Sequence, residues 1–157
     1  MPTTPVAIRA SDLPPRIGSG YPAPHDVPCR ERARRGLGDV FGLSQFGVNL
    51  LELPPGAWSS QRHSHERQDE FVYVLEGEAT LVTDEGETTL GPGMAAGFPA
   101  NTGNGHHIVN RSTGVVRLLE IGTRTIEETA TYSDIDMIYR EDSSTEGYFT
   151  KDGRRLK

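Results

Sequence analysis

The amino-acid sequence predicts an all-β chain. Turn-forming residues are frequent, with 18 glycines and 11 prolines in 157 residues. Short runs rich in β-branched and aromatic residues recur every eight to twelve positions, each closed by a turn signal, which is the pattern of a sandwich or barrel. No long stretch with helical periodicity interrupts them.

The strands follow from about residue 45. QFGVNLLEL (45–53) alternates and is ended by Pro54-Pro55-Gly56. EFVYVL (70–75) is followed by the Glu76-Gly77 turn, and EATLVT (78–83) by Asp84-Glu85-Gly86. ETTL (87–90) is closed by Gly91-Pro92-Gly93, and MAAGF (94–98) is a weaker strand. HHIVN (106–110) and VVRLLEIG (115–122) flank an Arg-Ser-Thr-Gly turn. Residues 45–122 therefore form the expected barrel.

Residues 1–44 are expected to be an irregular N-terminal extension, because seven prolines between Pro2 and Pro28 break helices and central strands. Within it Arg30, Arg32, Arg34 and Arg35 read as a solvated segment or short helix that pairs with Glu31 and Asp39; phosphate binding is the minority reading. Gly18-Ser19-Gly20 follows no expected strand and opens no helix, so it is not a nucleotide loop. Residues 123–157 are expected to be a C-terminal extension packed on the barrel, with a strand near Asp136–Arg140 and a small hairpin around Asp152-Gly153. Neither a linker to a second domain nor a fixed-period repeat is visible.

Charge and composition narrow the function. The net charge of −6 disfavours nucleic acid and anionic membranes as partners. The single Cys29 excludes an intramolecular disulfide and fits a reducing compartment. The N-terminus lacks a secretory pattern, and no apolar run approaches the ~20 residues of a membrane span. The expectation is a soluble cytoplasmic protein. Asn110-Arg111-Ser112 is a glycosylation sequon only in form, and Asp134-x-Asp136 reads as a solvated turn rather than a metal site.

Four of the five histidines fall in two groups. His63 and His65 are two apart, so on a strand both imidazoles leave one face. Glu70 begins the next strand after a short turn. His106 and His107 open a later strand, and one of them can complete a set of three nitrogens and one carboxylate. Such a set suits Fe, Mn, Zn, Ni, Co or Cu. Each group adjoins an apolar strand, where polar side chains are costly unless paired or coordinated.

The segment Gly56-x6-His63-x-His65-x4-Glu70-x6-Gly77 resembles the first motif of the cupin superfamily. Gly93-x5-Pro99, followed by His106-x3-Asn110, resembles the second, with two extra residues in PANTGNGH and Asn101 where a glycine is expected. The strings FVYVLEGE and GHHIVNRS also resemble small single-domain bacterial cupins, some of them named sugar-phosphate isomerase. The resemblance implies a double-stranded β-helix, or jelly-roll barrel, that binds one divalent transition metal ion through His63, His65, Glu70 and His106. The His-x3-Asn spacing selects His106 over His107. Gly56, Gly77 and Gly93 fit turns that require φ > 0.

The expected function is that of a metal-dependent enzyme on a small oxygenated, chelating substrate, either a dioxygenase or an isomerase or lyase. The alternative is a non-catalytic metal-dependent small-molecule binding or sensor protein. Tyr73 and Arg117 are expected to face the cavity, and Trp58 to stand at the barrel mouth as a packing residue or substrate platform. The family's habits imply a homodimer.

Overall fold

The computed structural model describes residues 4–157. Its strands, in chain order, begin with β1 (Arg16–Ile17), β2 (Ala33–Gly36), β3 (Phe46–Leu53) and β4 (His63–His65). The barrel continues with β5 (Glu70–Glu76), β6 (Ala79–Thr83), β7 (Gly86–Leu90), β8 (Ala95–Phe98), β9 (His107–Val109) and β10 (Val116–Thr123). Three further strands follow: β11 (Glu128–Tyr132), β12 (Ile138–Glu141) and β13 (Glu146–Phe149). Among the described residues the one α-helix, Leu37–Val40, is a single turn. Among the described residues no helix is long and apolar enough to cross a membrane.

All pairings are antiparallel, in three sheets ordered β1-β2-β3-β10-β5-β8, β7-β6-β9 and β13-β12-β11-β4. Alternation along the strands decides what fills the barrel. Leu51, Leu53, Val72, Val74, Val116 and Leu118 point inward from the first sheet and meet Ala79, Leu81, Leu90 and Ile108 from the second, forming one core. Register locks this arrangement: Leu118 stands opposite Leu51 on one side and Val74 on the other. A one-residue slip would turn that whole set outward.

Gly56, Gly77 and Gly93 all have φ near +85°, as the turns demand. At Gly77 a Cβ would also lie 2.6 Å from the Val115 carbonyl oxygen, so only glycine fits between β5 and β6.

The N-terminal segment departs from the expectation of an irregular extension. β2 lies beside β3 in the main sheet, with Arg34 opposite Leu51. Strand pairing there overrides the proline-rich context that precedes it. The arginines are not a solvated cluster. Arg32 is buried, Arg34 pairs with Glu120, Arg35 pairs with Glu52, and only Arg30 keeps a local partner, Asp26. Asp39 pairs instead with Arg124. Gly18-Ser19-Gly20 does follow a strand, the two-residue β1, but opens no helix.

At the other end, β12 covers most of the strand expected near 136–140, and Thr150–Arg154 closes the expected hairpin through Thr150 N–H to the Arg154 carbonyl. Asp134 receives a two-pronged pair from Arg62. Asn110 is fully buried and bonded to the Leu53 and Gly114 carbonyls, so its amide is committed to the fold.

Candidate metal centre

β4 is the short strand that places two imidazoles, and it is held from both sides. β11 pairs with it, setting Tyr132 opposite His63 and Ala130 opposite His65. On its other edge His63 forms an isolated bridge with His106, with backbone bonds of 2.9 and 3.1 Å. That bridge brings together residues 43 positions apart. Gly105 makes the approach possible, since a Cβ there would fall 1.9 Å from Ser133 Oγ. Asn101, at φ 62°, supplies the left-handed turn that precedes it. Asparagine is among the few side-chain-bearing residues that tolerate this conformation, so it serves where the resembled motif has glycine.

The side chains converge on Glu70 Oε2. His106 Nε2 lies 2.6 Å away, His65 Nε2 3.3 Å and His63 Nε2 3.5 Å. His63 Nε2 and His65 Nε2 are 3.1 Å apart. Donor atoms of His63, Glu70 and His106 all lie within 4.8 Å of one another. His106 stacks flat on Phe98 at 3.7 Å, which fixes its ring. His107 turns elsewhere: its Nδ1 meets the Ser60 carbonyl at 2.9 Å and its ring packs edge-on against Trp58. The structure thus brings His106, not His107, into the cluster.

The donor set fits a divalent transition ion. Donors sharing one ion stand roughly 3 Å apart when metal–nitrogen bonds are about 2.1 Å. His63 Nδ1 donates to the Gln61 carbonyl at 2.8 Å, which places the proton there and leaves Nε2 as a lone-pair donor. The outer nitrogens of His65 and His106 are buried without a hydrogen-bond partner. Burial alone would raise the Glu70 carboxyl, but bonds from His106, His63 and His65 hold it well below the usual range. Burial would lower His63, yet Glu70 and the Gln61 carbonyl raise it. At His106 burial wins over Glu70 and its pKa is lowered. A metal needs neutral imidazoles beside the ionised carboxylate, so its binding would compete with the proton that Glu70 favours on His63.

The cluster opens into a cavity of about 210 Å³. Its wall includes Arg32, Arg34, Glu120, Ser19, Tyr21 and Tyr148, none of which was placed there by motif. Glu120 extends inward from β10, its Oε1 accepting from Arg34 at 2.9 Å. Glu128 was also missed. It is buried on β11, outside the resembled motifs, and its Oε2 stands 3.8 Å from His65 Nδ1.

Three expected pocket residues lie elsewhere. Tyr73 and Arg117 are on the outer face of the main sheet, Tyr73 being 38% exposed and Arg117 paired with Glu52 and Glu76. Strand parity puts them there, because Val72 and Val74, like Val116 and Leu118, point inward. Trp58 bridges to Val109 and packs on His107, outside the cavity wall.

The cupin domain family matches residues 49–122. The chain is 48% identical to a sugar phosphate isomerase from a cupin superfamily, of Silicibacter pomeroyi DSS-3, over 96% of each chain with a TM-score of 0.91. A structure from Acidithiobacillus ferrooxidans is 28% identical over 81% of each chain, with a TM-score of 0.73. The polyketide cyclase RemF from Streptomyces resistomycificus is 25% identical, over 74% of this chain and 78% of that one, with a TM-score of 0.61. No curated protein matches the chain. The jelly-roll barrel, its two motifs and these likenesses together show that the chain belongs to the cupin superfamily.

Proposed function

We propose that this cupin is a metal-dependent enzyme of the isomerase or lyase type, acting on a small oxygenated substrate held at His63, His65, Glu70 and His106. The observation that carries this reading is Glu120, a second carboxylate in the wall of the same cavity. A divalent ion bound by the four donors supplies Lewis acidity, which makes a carbon acid next to a polarised carbonyl easier to deprotonate.

The chain's own residues do the rest. Glu120 takes a proton from that carbon and returns it to the neighbouring carbonyl carbon, while the hydroxyl proton passes to the former carbonyl oxygen, so that hydroxyl and carbonyl exchange places as an isomerase requires. Arg34 holds Glu120 through Oε1, which orients the carboxylate toward the cavity. Val72, Ile108 and Leu118 line the inner wall and limit water there. The likeness to a chain named sugar phosphate isomerase supports the same class.

The test is exchange of substrate C–H for solvent deuterium, followed by NMR on small hydroxy-aldehydes and their phosphates. Metal-loaded protein is expected to catalyse exchange and Glu120→Gln to lose at least about 100-fold while keeping its metal. Oxygen consumption by the Fe(II)-loaded protein, without exchange, would assign an oxygenase instead. Tight binding of unchanged ligand would assign a sensor.

A further inference from the structure

The cavity carries positive charge and hydrogen-bond donors that the protein itself leaves unmet. Arg32 is 6% exposed. Its guanidinium donates to two neutral carbonyls, Gly18 at 2.9 Å and Ser59, and makes no ion pair among the described residues. Burial and the neighbouring charge of Arg34 push its pKa down, the response of a cation short of counter-charge. Arg34 spends one nitrogen on Glu120, but its Nε is buried without a partner. Ser19 Oγ, in the wall of the same cavity, is also buried without a partner.

The backbone holds these groups in place. Gly18 N–H donates to the Arg32 carbonyl at 2.9 Å while Arg32 Nε donates back to the Gly18 carbonyl, so the Ser19 loop is pinned from both directions to Arg32, the residue just ahead of β2. Outward, the cavity continues into a cleft of about 450 Å³ that shares Arg32, Arg34, His63 and His65 and adds Arg16. Arg16 makes no ion pair among the described residues. A buried donor without an acceptor is costly, and two of them beside the donor cluster call for a ligand that answers both. A cation is repelled by the arginines. A neutral group leaves the charge of Arg32 and Arg16 unmatched, since among the described residues only Arg34 of the three has an ion-pair partner, Glu120. An oxyanion accepts from hydroxyl and guanidinium alike, and the guanidinium fork suits phosphate and carboxylate geometry.

We infer that Ser19, Arg34 and Arg16 form an oxyanion subsite, which takes the phosphate or carboxylate end of the substrate while its chelating oxygens lie at the four metal-binding side chains. Ser19 and Arg34 share the inner chamber of about 210 Å³ with the four side chains, which suits a short chain between the two ends. This deepens the enzymatic reading above and rests on the cavity being a substrate site. The subsite belongs to the N-terminal segment, so it is set by residues outside the stretch matched to the cupin domain.

The experiment is calorimetric titration of the full-length, metal-free protein with inorganic phosphate and, separately, with acetate, at constant ionic strength. Saturable binding is expected, weakened about tenfold in each of Ser19→Ala and Arg16→Gln. Arg34→Lys keeps the charge facing Glu120 but loses the fork, and it is expected to weaken binding similarly. Tighter phosphate than acetate assigns a phosphate ester; the reverse order assigns a carboxylic acid. The inference is overturned if neither anion binds saturably up to about 10 mM, or if Ser19→Ala and Arg16→Gln leave the affinity unchanged. Metal content of the same samples is measured independently. A protein that binds phosphate through these residues but takes up no metal keeps the subsite and removes the metal-dependent chemistry.

Discussion

Glu128 Oε2 stands 3.8 Å from His65 Nδ1, and the same carboxylate accepts backbone N–H groups from Glu66 at 2.9 Å, Arg67 at 3.2 Å and Thr129 at 2.8 Å. The buried Glu128 carboxylate therefore anchors the loop after β4 and stands behind the outer nitrogen of His65, one of the proposed metal donors. Carboxylates behind such imidazoles fix the ring and raise its basicity. Glu128→Gln is expected to lower metal affinity by about 10- to 100-fold with the fold retained, as read by metal titration and circular dichroism. Glu128→Ala strands the backbone donors as well and is expected to cost about 2 kcal/mol in urea unfolding. Unchanged metal affinity in both variants would leave Glu128 a loop anchor only.

His106 and His107 are adjacent but opposite in role. His106→Ala is expected to abolish stoichiometric metal binding, since a cluster donor within 2.6 Å of Glu70 is lost. His107→Ala is expected to keep one metal per chain and to destabilise by about 1–2 kcal/mol through its Trp58 and Ser60 contacts. Elemental analysis of the two purified variants checks both. The reverse pattern would reassign the fourth ligand.

Cys29 is wholly buried. Burial pushes its thiol up to about 11, against the opposing pull of Arg32 and Arg34. The unfolded chain loses this proton near its ordinary value, whereas the folded chain retains it. The contribution is thus fully present below about pH 9 and declines as pH rises toward 11, by about 2–3 kcal/mol at most. Urea unfolding at intervals across that window should show a steeper alkaline loss in the wild type than in Cys29→Ala. Parallel profiles would contradict the shift. The native thiol should also resist alkylating reagents near neutrality.

Asn101 bears the left-handed turn ahead of the second histidine group. Asn101→Gly is expected to be neutral within about 0.5 kcal/mol, and Asn101→Val to destabilise by about 1–2 kcal/mol because a β-branched side chain resists positive φ. Thermal melting compares them. Equal melting points for the two variants would remove the backbone argument.

The homodimer is an expectation, and the outer face of the main sheet is the surface we propose for it. Phe71, Tyr73 and Leu75 stand exposed in a row on the outer face of the main sheet, 40%, 38% and 46% accessible. Ion pairs of Arg117 with Glu52 and Glu76 border them. An apolar centre with a polar rim is the general anatomy of a protein–protein interface. Leu75→Glu should convert a dimer to a monomer in size-exclusion chromatography with light scattering. A wild type that is already monomeric would exclude this use of the face.

Local pattern carried much of the result. The alternation in QFGVNLLEL, EFVYVL and VVRLLEIG, with glycine turns between them, already implied an all-β barrel, because side-chain periodicity and turn chemistry act over a few residues. The resemblance to two cupin motifs, rather than periodicity alone, singled out His63, His65, Glu70 and His106: His63 and Glu70 open β4 and β5, while His65 ends β4 and His106 precedes β9. Parity also contained the placement of Tyr73 and Arg117, since Val72, Val74, Val116 and Leu118 take the inward positions beside them.

Long-range pairing supplied what that pattern lacked. Arg34 meets Glu120 across 86 residues, and Glu66 meets Glu128 across 62. Neither partner carries a local signal, because an isolated arginine or glutamate on a short strand looks the same whether it faces water or a cavity. Their surroundings arise only when β2 joins β3 and β11 closes on β4. Burial then turns ordinary charges into groups that must find partners, and those partners define the walls of the site.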